Sequence, residues 1–330
     1  MNEIHVSPFP KGNGWTETGF YVGSDNVMTA EQAIQVANLD WQVEEEALYT
    51  HEGVIISGGQ AVPKHREITT HKAIVRADSR QVMGVVGKKY TPIQNHQAFS
   101  FMDKLVEEGL MKYHSAGKFR DGRRIWLLGK VGEVEVLSGD TVDQFLLLFN
   151  SHDGSTSLSA VLTSIRLACM NALVGLLRKR TRQGRGVMLR HTTNIWERFG
   201  DSHAILETAI EDFEQSAVVM KEAARTRLSN EQWANITKQI FKDPPEDKKH
   251  LLPRVEQRRE DLTELFHNGV GQDIPGVQNT VWAGINAITE YANFHKVVRG
   301  ANKDERRLES ALFGLNAKWV DKNVSQLMAA

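Results

Sequence analysis

The segment Asn150-Ser151-His152-Asp153-Gly154-Ser155 sets an imidazole, a carboxylate and two hydroxyls close together, with a second imidazole, His191, further along. Such groups perform acid–base work, nucleophilic hydrolysis or metal binding once their side chains converge. Local rules work against convergence here. Adjacent residues of an extended chain point to opposite faces, so His152 and Asp153 meet only if the backbone turns. The Gly-x-Ser-x-Gly of a nucleophile elbow is absent, and Asp153 or Ser155 would serve equally as a helix N-cap. His-Glu-x-x-His, Cys-x-x-Cys and calcium-loop patterns are missing, and Gly84-Val85-Val86-Gly87-Lys88-Lys89 has the wrong length for a phosphate loop. Neither a metal nor a cofactor is expected. A metal-dependent hydrolase or nuclease built on His152, Asp153 and His191 stays as a competing reading.

The cations say more. The chain is nearly neutral, at −1, but its charges are segregated. Residues 1–60 hold nine acids and one base, and residues 61–130 hold fourteen bases and six acids. Residues 131–153 have five acids and no base, whereas residues 154–196 have seven bases and no acid. A polyanion responds to such local patches rather than to the net charge. In the first patch Lys112, Lys118, Arg120, Arg123 and Arg124 interleave with Tyr113, Phe119 and Trp126. Cations for phosphates and aromatic faces for bases are what single-stranded nucleic acid needs. On a strand, Arg124 and Trp126 share one face, which also suits a core position for Trp126 with solvated arginines beside it. The second patch comprises Arg178, Lys179, Arg180, Arg182, Arg185, Arg190 and His191, spread along a Gly-containing stretch able to follow a phosphate backbone. Arg166, set among apolar residues, is expected to contact a phosphate or to pair with an interior acid such as Asp143 or Asp153.

These residues need a scaffold. HKAIVRADSRQVMGVV predicts two strands about a turn near Asp78-Ser79, and HQAFSFMDKLVEEG a helix with Asn95 as its cap. KYHSAGKF, Arg120-Asp121-Gly122 and RRIWLLGKV predict a β-hairpin, and QFLLLFNSH a buried strand. Leu158, Val161, Leu162, Ile165, Cys169, Leu173, Leu176 and Leu177 follow a helical spacing and predict one long helix. Helices dominate after Ser202, one of them opened by a Ser229/Gln232 capping box. The expectation is an α+β fold: a central antiparallel sheet with a β-hairpin packed on a long helix, then a mainly helical C-terminal part. Three parts follow: an acidic segment over 1–40, an α+β core over 41–200, and a helical region over 201–330. The lone Cys169 excludes an intrachain disulfide. With no bilayer-length apolar run and no apolar leader at the start, a cytoplasmic protein without a membrane partner is expected.

A series of words in order carries a resemblance: VMGVVGKKYTPIQNHQAF at 82–99, GRRIWLLGKV at 122–131, LLLFNSHDGSTSL at 146–158, TSIRLACMNAL at 163–173, MLRHT at 188–192, then NAITEYANF and RLESALFG. Over about residues 40–330 the chain resembles the phage/plasmid-like proteins, a family of unassigned function carried by mobile elements. A hairpin and strand followed by a basic helix is also similar, in topology and charge alone, to the core of single-strand annealing proteins. That second likeness implies an oligomer that holds single-stranded DNA in a basic groove without hydrolysing ATP. The function expected is DNA binding or annealing in recombination or replication. A further alternative is an interaction protein that counters host defence through its acidic residues, Glu44-Glu45-Glu46 among them.

Overall fold

The structure is a computed structural model; it describes residues 19–21, 29–58, 60–166, 171–172, 187–192, 194–195, 215–312 and 314–329. In chain order the strands are β1 (Gly19–Tyr21), β2 (Val43–Ser57), β3 (Gln60–Arg76), β4 (Val82–Gly87), β5 (Lys112–Phe119), β6 (Arg124–Leu137), β7 (Asp140–Ser151), β8 (Leu158–Arg166), β9 (Asn171–Ala172) and β10 (Val187–Leu189). They form two antiparallel sheets. The larger runs β1-β5-β6-β7-β8-β10, with β9 also on β8, and the smaller runs β2-β3-β4. The helices are α1 (Ala30–Val36), α2 (Asn95–Ser100), α3 (Asp103–Glu107), α4 (Asn230–Ile240), α5 (Leu252–Asn268), α6 (Val281–Glu290), α7 (Lys303–Leu312) and α8 (Leu315–Leu327). One more helix covers 215–225.

The period-two geometry of a strand explains how the larger sheet holds two cores. Ile125 and Leu127 of β6 and Leu146 and Leu148 of β7 face α1, α2 and α3. Their neighbours Trp126, Leu128, Phe145 and Leu147 point the other way, onto Leu308 and Leu312 of α7 and Ala317 of α8. A third core joins Val134, Val136 and Val142 to Trp233, Phe266, Trp282 and the apolar faces of α4 to α6 and α8. Each fully buried Leu or Phe side chain contributes about 1.5–3 kcal/mol, so both faces of β6 and β7 are committed to the interior.

That double commitment corrects one expectation. Leu158–Arg166 is a strand, not the first half of a long helix. Nearly all of its residues are buried on one face or the other, so no polar alternation marks it, and Leu158, Val161, Leu162 and Ile165 mimic a helical spacing. A strand buried on both sides lacks the periodic signature that would distinguish it. Cys169, Leu173, Leu176 and Leu177 lie outside the described residues. The hairpin of β5 and β6 forms in the register Phe119↔Arg124 to Lys112↔Lys130. The helix expected after Asn95 is two short pieces, α2 and α3, and Gln94 rather than Asn95 is its N-cap. The capping box of Ser229 and Gln232 is present.

The two strands expected about Asp78-Ser79 form as the inner half of β3 and β4, but sequence patterning passed over β2 and the distal half of β3. The distal half of the β2–β3 ribbon, from Thr50 to about Ile68, is largely exposed, with Val54, Ile55, Ile56 and Val62 at the tip. The acidic triplet at its base is neutralised within the same sheet: Glu44 and Glu46 pair with Arg80, and Glu45 with Lys72.

Candidate nucleic-acid interface

The hairpin turn is built under constraint. Arg120, Asp121 and Gly122 have φ of 53°, 56° and 90°, all in the left-handed region. Holding non-glycine residues there costs on the order of 1–3 kcal/mol each. At Gly122 an added Cβ would lie 3.0 Å from Trp41 Cζ2, so the turn is pressed onto the base of the smaller sheet. At Gly84 of β4 an added Cβ would lie 2.6 Å from the Asp153 backbone. The loop 152–157 is thereby wedged between β4 and the hairpin turn.

Around this loop a buried polar cluster forms. Tyr90 stacks on His191 with ring centres 4.6 Å apart and donates from its hydroxyl to Ser151 O at 2.6 Å. Burial, reinforced by the Asp153 carboxylate, raises the Tyr90 hydroxyl above the ordinary tyrosine range. The backbone N–H of His152 donates to Arg123 O at 2.8 Å, and that of Thr91 to His191 O at 3.2 Å. His152 is wholly buried, and its Nε2 lies 2.8 Å from Asn95 Oδ1. Asn95 Nδ2 already donates to Leu39 O, so Oδ1 is the acceptor and His152 carries its proton on Nε2. His191 Nδ1 likewise donates to Thr91 O at 3.1 Å. Both rings are therefore neutral, each with one bare nitrogen, His152 Nδ1 and His191 Nε2; Asn150 Oδ1, Thr156 Oγ1 and Trp41 Nε1 nearby are also unpaired. Burial pushes His152 down to about 3, with His191, once protonated in acid, adding to the effect, and burial pushes His191 down to about 4.

Asp153 does not join the two imidazoles. Its Oδ1 turns back to accept the N–H of Ser155 at 2.9 Å. Among the described residues no group of three or more His, Cys, Asp or Glu side chains could hold a metal ion.

The expected phosphate-binding residues fall into separate groups. Arg120 and Arg124 both pair with Glu309 of α7, and the backbone N–H of Arg120 donates to Glu305. Arg124 Nε also donates to Ser155 Oγ at 3.0 Å. Trp126 is fully enclosed against Phe119, at 6.1 Å between centres, so its ring offers no open face to a base. Arg166 is wholly interior, in a two-pronged pair with Asp140 at 2.7 Å on each prong. The partner is neither Asp143 nor Asp153, the acids the sequence suggested: the register Val142↔Arg166 of β7 on β8 brings Arg166 to the Asp140 end of β7. Lys118 is half-buried on β5, while Arg123 and Arg190 are exposed. Arg178, Lys179, Arg180, Arg182 and Arg185 lie outside the described residues.

Sequence reasoning missed Lys88 and Lys89. They are exposed and immediately precede Tyr90, the ring that stacks on His191. Arg190 immediately precedes His191, and Arg123 is bonded through its carbonyl to His152. All four thus stand, along the backbone, at or beside residues that contact the loop 152–157, and none of them is in an ion pair among the described residues. Asp121 and Asp153 are the acids beside them. Two adjacent lysines after a strand were the available signal, obscured because that segment was weighed only as a failed phosphate loop.

Residues 82–312 match the family described as Domain of unknown function (DUF932), and the chain belongs to that family. No curated protein and no solved structure matches it.

Proposed function

We propose that this DUF932 protein binds DNA, single strands foremost, as part of the replication or recombination machinery of a mobile element, and that it does so without ATP. One observation carries the reading: Lys88, Lys89, Arg123 and Arg190 are exposed cations in no ion pair among the described residues, each at or near a residue that packs on one loop. Cations committed to internal carboxylates contribute nothing to a polyanion, whereas solvated ones release counterions when they meet phosphate. The strained turn beneath Arg123 and the tight packing at Gly84 fix the spacing of these charges, which limits the ordering cost on binding. The five cations of 178–185, which lie outside the described residues, precede β10 in the sequence and extend the reading. Assembly into a homo-oligomer belongs to the proposal as well.

The test is fluorescence anisotropy of a labelled oligonucleotide, single-stranded and duplex, across a salt series. Four phosphate contacts predict a slope of log K against log salt of about −3 for a single strand. Arg123→Glu with Arg190→Glu weakens binding on the order of 100-fold at low salt. Undiminished binding by that pair would remove the interface from this loop.

A further inference from the structure

The stripe of α7 that meets the larger sheet consists of Glu305, Leu308, Glu309 and Leu312, spaced i, i+3, i+4 and i+7 on a single helical face. Opposite it lie Arg120, Arg124, Phe119 and Trp126. Glu309 takes both guanidinium groups and is only 8% exposed, and Glu305 accepts the strained Arg120 N–H. Leu308 and Leu312 cover Phe119, Trp126, Phe145 and Leu147. The helix thus sets carboxylates on the arginines and apolar side chains on the aromatic rings. A single-stranded nucleic acid would set phosphates and bases on the same partners.

The attachments of α7 differ from those of its neighbours. α8 is anchored in the large helical core through Val320, Val324 and Leu327, whereas the leucines of α7 belong to the smallest of the three apolar clusters. On its N-terminal side the chain passes Val297, 84% exposed, and reaches Gly300 and Asn302 in the left-handed region at φ 95° and 52°. Gly314 follows on the other side. The N-terminal connection is of the kind that absorbs a change of backbone direction.

We infer that α7 is a removable cover over a second nucleic-acid surface, made of Arg120, Arg124, Phe119 and Trp126, and that its glutamates stand where phosphates bind once it lifts. This rests on the reading that the protein binds single-stranded nucleic acid, and it adds a regulated surface next to the open cations. The open cations make the first contact, and the neighbouring strand then competes with Glu309 for the two guanidinium groups and with Glu305 for the Arg120 backbone N–H.

The full chain is tested with a labelled oligothymidylate. Glu305→Gln with Glu309→Gln keeps the side-chain shapes and removes the competing charges. Glu256→Gln with Glu260→Gln makes the same charge change on the exposed face of α5. Affinity is expected to rise about tenfold beyond that control, with faster amide exchange over 303–312, and the gain is expected to vanish when Arg120→Ala and Arg124→Ala are added. The half-exposed Glu305→Gln alone, which leaves the interior untouched, is expected to give about a threefold gain. A gain no larger than the control, or one that survives loss of both arginines, overturns the cover and leaves the open interface standing. If neither the wild-type chain nor any variant binds, the nucleic-acid reading falls and the cover with it.

Discussion

Two polar clusters sit at opposite ends of β7, and they are finished to different degrees. At the Asp140 end the ions are closed off. Arg166 pairs with Asp140 by two bonds and donates to Val270 O and Gly271 O, while Trp282 Nε1 donates to the same carboxylate at 2.9 Å. At the Ser151 end the imidazoles of His152 and His191 each have one bare nitrogen, and solvated cations stand around them. A buried ion pair leaves nothing for a ligand, and its role is to lock the sheet to the loop after α5. A cluster with unmet polar groups beside free charge is where a protein still has capacity to bind.

The comparison breaks most directly at Arg166. Arg166→Ala leaves Asp140 buried without its counter-ion, and a loss of about 3–5 kcal/mol is expected in denaturant unfolding. A loss below about 1 kcal/mol would mean that water reaches Asp140 and that the closed cluster is not closed.

The other end, with its His152 and His191, is sharpened by pH, and His114 beside Phe145 titrates in the same sense. His114, His152 and His191 are held down to about 4, about 3 and about 4, mainly by burial. The unfolded chain takes up these protons near pH 6.5, the folded chain only near pH 3–4. Their stabilising effect is therefore complete above pH 6.5 and declines as pH falls through that window, by up to about 1.4 kcal/mol per pH unit for each ring. His152→Gln should flatten the acid limb of a stability profile. An unchanged limb would place the titration elsewhere.

The smallest effect concerns the turn. Gly122→Ala adds a Cβ at φ 90°, 3.0 Å from Trp41, and is expected to cost about 1–3 kcal/mol. It should also loosen Arg123 and so lower oligonucleotide affinity more than it lowers the affinity of α7 for its seat. Equal loss at both would show that the turn serves stability alone.

Much of the frame was legible. The hairpin followed from Asp-Gly between alternating runs, β7 from its continuous apolar run, and the C-terminal helices from their period and capping box. β8 was not, because burial on both faces removes the alternation that identifies a strand. β2 and the distal half of β3 were not, because exposure along both faces removes it in the opposite way. Among the site residues, residue type alone could not separate Arg123 and Arg190, which face solvent, from Arg120, Arg124 and Arg166, which carboxylates claim.

The amino-acid order by itself determined where positive charge accumulates and that a helical part follows the antiparallel strands of the middle of the chain. It could not determine which cations remain free. That depends on Asp140 and Glu309, and Glu309 lies 185 residues along the chain from Arg124, one of the two arginines it neutralises. Pairing over such separations is set by sheet register and helix docking, which are properties of the packed molecule, and only the tertiary structure brings those charges within reach of one another.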